Sequence, residues 1–137
     1  METIIVYWSM TGNTERLAAA VAGGVKAAGG SAAIKTVGEI DAKSVAAYDK
    51  ILLGCPAMGA EALEEGDFQP FYDAAEPLLK GKKVGFFGTY DWGDGEWMRN
   101  WQAQAIGAGI DLVDALAVQQ DDGALELQGE TLGKKFA

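Results

Sequence analysis

The segment Ser9-Met10-Thr11-Gly12-Asn13-Thr14 places three hydroxyls, one carboxamide and one glycine within six residues. A glycine lets the backbone approach a ligand closely. If the segment opens a helix, the helix N-terminus adds unpaired N–H groups and a partial positive charge of about half a unit. Together these make an anion cradle suited to a phosphate. The Gly-Lys-Ser/Thr ending of a Walker loop is absent, and the segment contains no Lys or Arg. Plain helix capping by Asn13 or Thr14 accounts for the same residue types.

Two further segments carry unusual chemistry. In Gly54-Cys55-Pro56-Ala57-Met58-Gly59-Ala60-Glu61, Met58 offers an apolar lid, Gly59 a conformationally free peptide and Glu61 an acceptor. The competing reading is a Pro/Gly turn over a buried Met. Cys55 is expected to pack as a small hydrophobe. No arginine falls between Arg16 and Arg99, so the Cys-x5-Arg loop of tyrosine phosphatases is missing. In Thr89-Tyr90-Asp91-Trp92-Gly93-Asp94-Gly95-Glu96-Trp97, Trp92 lies beside glycines in a loop. Such a ring suits stacking on a flat heterocycle, worth ~0.5–1.5 kcal/mol beyond its buried area. Trp97 and Trp101, four apart, and Trp8 are expected to pack in the core.

These segments need elements to hold them. Apolar, β-branched runs predict strands at Thr3–Trp8, Ala32–Val37, Lys50–Gly54, Lys82–Gly88 and Ile110–Val118. Between them, helices are predicted at Asn13–Ala28 (Leu17, Val21 and Val25 at i, i+4, i+8), Ala42–Ala47, Phe68–Leu79, Glu96–Ala108 and Ala124–Phe136. Gly29-Gly30 stops the first helix, and Pro77 spoils the end of the third. Strands alternating with helices predict an α/β, doubly wound, five-stranded parallel sheet with helices on both faces, in a single domain over residues 1–137. Such sheets bind ligands beyond the carboxyl ends of their strands. The three chemistry-bearing segments follow the first, third and fourth predicted strands.

Composition bounds the chemistry further. The 137 residues include no His and one Cys, which excludes a Ser-His-Asp triad, a zinc finger and an internal disulfide. The net charge of −9 argues against nucleic-acid binding and suits docking on basic partners. No stretch approaches the ~18 apolar residues of a membrane span, and the N-terminus lacks a cationic leader, so a cytoplasmic, membrane-free protein is expected.

The segments YWSMTGNTE (7–15), GCPAMGAEALEE (54–65) and GKKVGFFGTYDWGDGEWM (81–98) resemble those of short-chain flavodoxins of anaerobic bacteria, in the same order and spacing across essentially the whole chain. The resemblance implies strand order 2-1-3-4-5 and a non-covalently bound FMN. It implies cofactor contacts from Ser9, Met10, Thr11, Gly12, Asn13 and Thr14 in the first loop. The second loop would contribute Pro56, Ala57, Met58, Gly59, Ala60 and Glu61, and the third Thr89, Tyr90, Asp91, Trp92 and Gly93. Ser9, Thr11, Asn13 and Thr14 would hold the phosphate, Met58 and Trp92 would cover the two flavin faces, the Gly59 carbonyl would meet flavin N5–H, and Glu61 the N3 edge. Pro56, Ala60 and Asp91 depart from the family's usual residues.

By the same resemblance the protein is a low-potential one-electron carrier, not an enzyme. It would shuttle between neutral semiquinone and hydroquinone, in place of or beside ferredoxin, with no metal. Stacking and carboxylates at Glu61, Glu64, Asp91 and Asp94 would disfavour the anionic hydroquinone. Implied partners are basic-surfaced ferredoxin/flavodoxin reductases and low-potential oxidoreductases such as pyruvate oxidoreductase, hydrogenase or nitrogenase reductase, met by a monomer. The alternatives are an FMN-dependent NAD(P)H/quinone reductase on the same fold, a receiver domain and a flavin-free binding module. A receiver domain needs an Asp where this chain has Gly54-Cys55.

Overall fold

A computed structural model of the protein describes residues 2–59 and 61–137. Its elements are β1 (Glu2–Tyr7), α1 (Asn13–Ala27), β2 (Ser31–Thr36), α2 (Ala42–Val45), β3 (Lys50–Gly54), α3 (Phe68–Ala75), a 3-10 turn (Glu76–Leu78), β4 (Lys83–Tyr90), α4 (Glu96–Gly107), β5 (Leu112–Gln119) and α5 (Leu125–Lys134). The five strands pair in parallel in the order β2-β1-β3-β4-β5, as expected.

The strands alternate between two buried faces, because successive side chains of a strand point to opposite sides. Ile4 and Val6 face a core with Ile51, Leu53, Val84 and Phe86, covered by Val45, Phe68, Tyr72, Trp97 and Trp101 from α2, α3 and α4. Ile5 and Tyr7 face a second core with Leu52 and Phe87, covered by Leu17, Val21 and Leu132 from α1 and α5. Trp97 and Trp101 are fully buried as expected. Trp101 stacks on Phe86 at 3.8 Å between ring centroids, and the Trp97 indole N–H donates to the Cys55 carbonyl at 3.2 Å.

α1 and α5 approach closely through glycines. A Cβ on Gly133 would lie 2.0 Å from the Val21 carbonyl oxygen, and one on Gly24 would lie 2.1 Å from that of Glu130. Glycine at these positions is a packing requirement.

Boundaries move where the sheet outruns the apolar run. β4 continues through Thr89 and Tyr90, beyond the strand that the apolar run predicts. Tyr90 pairs with Gln119, and the Gln120 amide donates to the Tyr90 carbonyl at 2.8 Å. β5 correspondingly runs Leu112–Gln119. α3 ends at Ala75 and tightens into the 3-10 turn that contains Pro77. Local hydrophobicity does not encode the ends of β4 and β5, because they depend on the neighbouring strand.

Candidate functional site

Three loops meet at the carboxyl ends of β1, β3 and β4. The first turns into α1 through Gly12, which has φ +91° and caps the helix without any side-chain hydrogen bond. The capping role considered for Asn13 and Thr14 therefore does not hold. Asn13 Nδ2 instead donates to Thr11 Oγ1 at 3.1 Å and to Gln120 Oε1 at 3.0 Å. Ser9 Oγ accepts from the Gly12 and Glu15 amides at 3.2 and 3.4 Å. The amides of Asn13 and Thr14 open the helix, where no intrahelical acceptor exists. Thr14 is buried, and its hydroxyl lies 2.8 Å from that of Thr89. One hydroxyl of this pair supplies the shared proton, and the other keeps its own to donate elsewhere.

Met10 does not converge with the rest. It is 69% exposed and, with Ser9 and Gly12, lines a separate cleft of about 470 Å³ on the β2 side, together with Tyr7, Glu15 and Asp67.

The second loop is zipped onto β4. The Cys55 amide donates to Phe87 O at 3.1 Å and the Ala57 amide to Thr89 O at 3.0 Å. Gly88 permits this approach, since a Cβ there would lie 2.1 Å from Cys55 O. Cys55 itself is buried, and desolvation pushes its thiol pKa up to about 12, with the nearby Glu64 carboxylate adding to the shift and a hydrogen bond from the Glu64 backbone opposing it. It is an inert packing residue, as expected. Beyond half-buried Pro56 and Ala57, Met58 and Ala62 exchange backbone hydrogen bonds of 2.8 and 2.9 Å and close a tight turn. Met58 is half-buried rather than buried outright. Gly59 has φ +53° and Glu61 φ +55° within that turn. Ala60, expected to contact the cofactor, lies outside the described residues.

Glu61 ties the second loop to the third. Its Oε1 accepts from the Asp94 amide at 2.9 Å, and its Oε2 from the Trp97 amide at 3.1 Å. This use is one the sequence did not reveal: the carboxylate caps α4 across the site. A carboxylate offers about four acceptor positions, so two remain. Gly93 sits under the carboxylate, where a Cβ would fall 1.5 Å from Oε1. Glu61, Trp92, Gly93, Asp94 and Glu96 line a cleft of about 490 Å³. Trp92 is 65% exposed, with its ring available rather than packed.

The electrostatics here are acidic. Glu61, Asp94 and Glu96 each bring a carboxylate oxygen within 4.8 Å of the others. Arg99 answers part of this charge through a 2.9 Å contact with Asp94. Asp91 is exposed and has no positive φ, so it is not the left-handed turn residue that its type allows. Glu64 does not join the cluster. Its carboxylate accepts from the Gly66, Asp67 and Phe68 amides, each at 2.8 Å, at the start of α3. Partial burial pushes its pKa up, but those three donors outweigh burial and hold it below the ordinary range.

A fourth loop contributes as well. Gln119 Nε2 donates to the Asp91 carbonyl at 3.2 Å, and Gln120 reaches Asn13. No motif in the sequence marks these amides. Their position at the carboxyl end of the last strand was the available signal.

Comparison with known proteins agrees with this geometry. The flavodoxin family model matches residues 5–131. The flavodoxin of Megasphaera elsdenii is 44% identical over 133 residues, covering 95% of this chain and 97% of that one. The flavodoxin of Clostridium beijerinckii is 40% identical over 134 residues, covering 97% of each. The chain belongs to the flavodoxin family. The solution structure of two-electron reduced Megasphaera elsdenii flavodoxin superimposes with a TM-score of 0.86 at 42% identity, covering 98% of this chain and 99% of that one. Flavodoxins are electron-transfer proteins that use FMN and act as redox partners of oxidoreductases. The reductase alternative is not favoured. Among the described residues no helix is long and apolar enough to cross a membrane.

The flavodoxin donor set fits FMN. A helix start whose Asn13 and Thr14 amides have no intrahelical acceptor, with hydroxyls around it, suits a phosphate ester dianion. An exposed indole beside a 490 Å³ cleft suits a flat ring.

Proposed function

We infer that this flavodoxin-family chain, acting as one domain over residues 1–137, carries single electrons on an FMN held by the loops after β1, β3 and β4. FMN, when bound, supplies one-electron redox chemistry that no protein side chain here provides. The side chains bind it, orient it and set its potential.

Ser9, Thr11, Asn13 and Thr14, with the first amides of α1, would hold the phosphate. Trp92 and Met58 would flank the ring and keep water from its faces. The Gly59 peptide would offer its carbonyl at the ring's N5 edge, since positive φ comes without steric cost at glycine. Glu61 would use its remaining acceptor positions at the N3 edge. The carboxylates of Glu61, Asp94 and Glu96, with Asp91 nearby, raise the cost of placing negative charge on the ring and so lower the potential for the second electron. Arg99 moderates the Asp94 contribution. The net charge of −9 favours encounter with basic-surfaced reductases and low-potential oxidoreductases in the cytoplasm.

The observation that carries this reading is the start of α1, where Gly12 offers no capping side chain and the Asn13 and Thr14 amides have no intrahelical acceptor, a step from the buried Thr14–Thr89 pair. Titrating flavin-free protein with FMN and riboflavin tests it. Tight, FMN-selective binding is expected, with no steady-state oxidation of NAD(P)H unless a reductase is added. Failure to bind FMN overturns the reading, and turnover without a reductase overturns the carrier role.

A further inference from the structure

We propose that Gln119 and Gln120, at the carboxyl end of β5, are a positioning pair that couples the phosphate loop to the stacking loop. The inference rests on the FMN reading above. Neither glutamine is in a position claimed for cofactor contact, and each reaches a different side of the site.

Gln120 Oε1 accepts from Asn13 Nδ2 at 3.0 Å, across 107 residues of chain. The same Asn13 amide donates to Thr11 Oγ1 at 3.1 Å. Asn13 Nδ2 has two protons, so both are spoken for. Thr11 Oγ1, as the acceptor in this contact, keeps its own proton to donate. Gln120 therefore fixes the Asn13 rotamer, and Asn13 in turn sets which way the Thr11 hydroxyl points. Thr11 is exposed and Asn13 half-buried, so packing alone does not hold these side chains.

Gln119 acts on the other side. Its Nε2 donates to the Asp91 carbonyl at 3.2 Å, one residue before Trp92. Its Oε1 is held by the Asp121 amide at 2.6 Å, so the carboxamide cannot swing freely. Between the two side chains, the Gln120 amide donates to the Tyr90 carbonyl at 2.8 Å and anchors the pair on β4. One dipeptide thus spans from the residue after Gly12 to the residue before Trp92.

The test is flavin binding to FMN-free protein, followed by flavin fluorescence quenching, for wild type, Gln120→Ala and Gln119→Ala. Gln120→Ala should weaken FMN by about 3- to 10-fold, the effect of one net hydrogen bond, and leave riboflavin within about 2-fold. Gln119→Ala should weaken FMN and riboflavin alike, because both carry the ring. A Gln120→Ala variant that loses both flavins equally, or neither, overturns the proposal while leaving FMN binding by the wild type intact. Wild type that does not bind FMN overturns the functional reading instead, and this proposal with it. If Gln120→Ala does not fold, the Asn13 side-chain amide of the wild-type apoprotein decides. Its protons should exchange slowly with solvent by NMR, and fast exchange overturns the proposal.

Discussion

The hydroxyls of Thr14 and Thr89 lie 2.8 Å apart in the interior, joining the first turn of α1 to the end of β4. Two residues separated by 75 positions thereby share one proton between two oxygens. Thr14→Val removes a hydroxyl from the proposed phosphate site and also leaves Thr89 buried without its partner. A hydrogen bond to a charged group is worth about 1.5–3 kcal/mol, and an orphaned buried hydroxyl costs about 1–3 kcal/mol. FMN affinity should fall roughly 10- to 100-fold and riboflavin affinity much less, with a lower melting temperature of the apoprotein. Thr14→Ser should restore both. Equal losses for the two flavins would assign Thr14 to the fold alone.

Asp91 is a carboxylate beside Trp92, and its exposure decides the size of its effect. At a separation of ~8 Å in nearly bulk dielectric, Coulomb's law gives about 0.5 kcal/mol. For a one-electron couple that is roughly 20 mV. Asp91→Asn should raise the more negative of the two one-electron potentials of the FMN-loaded protein by about this amount. The shift should shrink at high ionic strength, because exposed charges are screened. Potentiometric titration at low and high salt measures it, and no shift at low salt would leave Asp91 without a redox role.

Glycines on α1 separate packing from propensity. Gly→Ala inside a helix gains up to about 1 kcal/mol in propensity. Gly23 has nothing within 4 Å of an added Cβ, so Gly23→Ala should stabilise the protein by up to about 1 kcal/mol. Gly24 is the next residue, and its Cβ would fall 2.1 Å from a backbone oxygen of Glu130. Overpacking against rigid backbone costs about 1–3 kcal/mol or more and outweighs the propensity gain. Gly24→Ala should therefore be net destabilising. Urea unfolding of the pair checks the opposite signs.

Glu64 gives the fold an acid-sensitive contact. Its folded pKa lies below the ordinary 4.5, so its contribution is present above pH 4.5 and is lost as pH falls through the folded value. Glu64→Ala should cost about 1 kcal/mol at pH 7, as the loss of a helix cap does. The gap between variant and wild type should close as the pH drops below 4.5, in chemical denaturation followed across that range. A gap that stays constant to low pH would mean that the ionised carboxylate does not hold the α3 amides.

Much of this molecule was legible in short stretches of chain. β-branched runs, the i, i+4, i+8 spacing of Leu17, Val21 and Val25, and the Gly29-Gly30 stop are local signals, and the elements they predict are present. So are the chemistry-bearing loops after β1, β3 and β4, because turn and cap chemistry is written in consecutive residues. What sequence did not contain is which distant side chains share one end of the sheet. Glu61 was readable as an acceptor, but its hold on Asp94 and Trp97 required the Met58–Ala62 turn to lie against the start of α4. The resemblance places Glu64 in the acidic site, yet in the fold it holds the Gly66, Asp67 and Phe68 amides at the start of α3. Gln119 and Gln120 carry no signal beyond their place after the last predicted strand. They acquired partners only when the parallel pairing of β4 with β5 brought the end of β5 beside Tyr90 and Asp91. Hydrophobic periodicity reports burial of one segment at a time, whereas a hydrogen bond between loops depends on strand register and on how distant side chains are brought together, which tertiary structure alone decides.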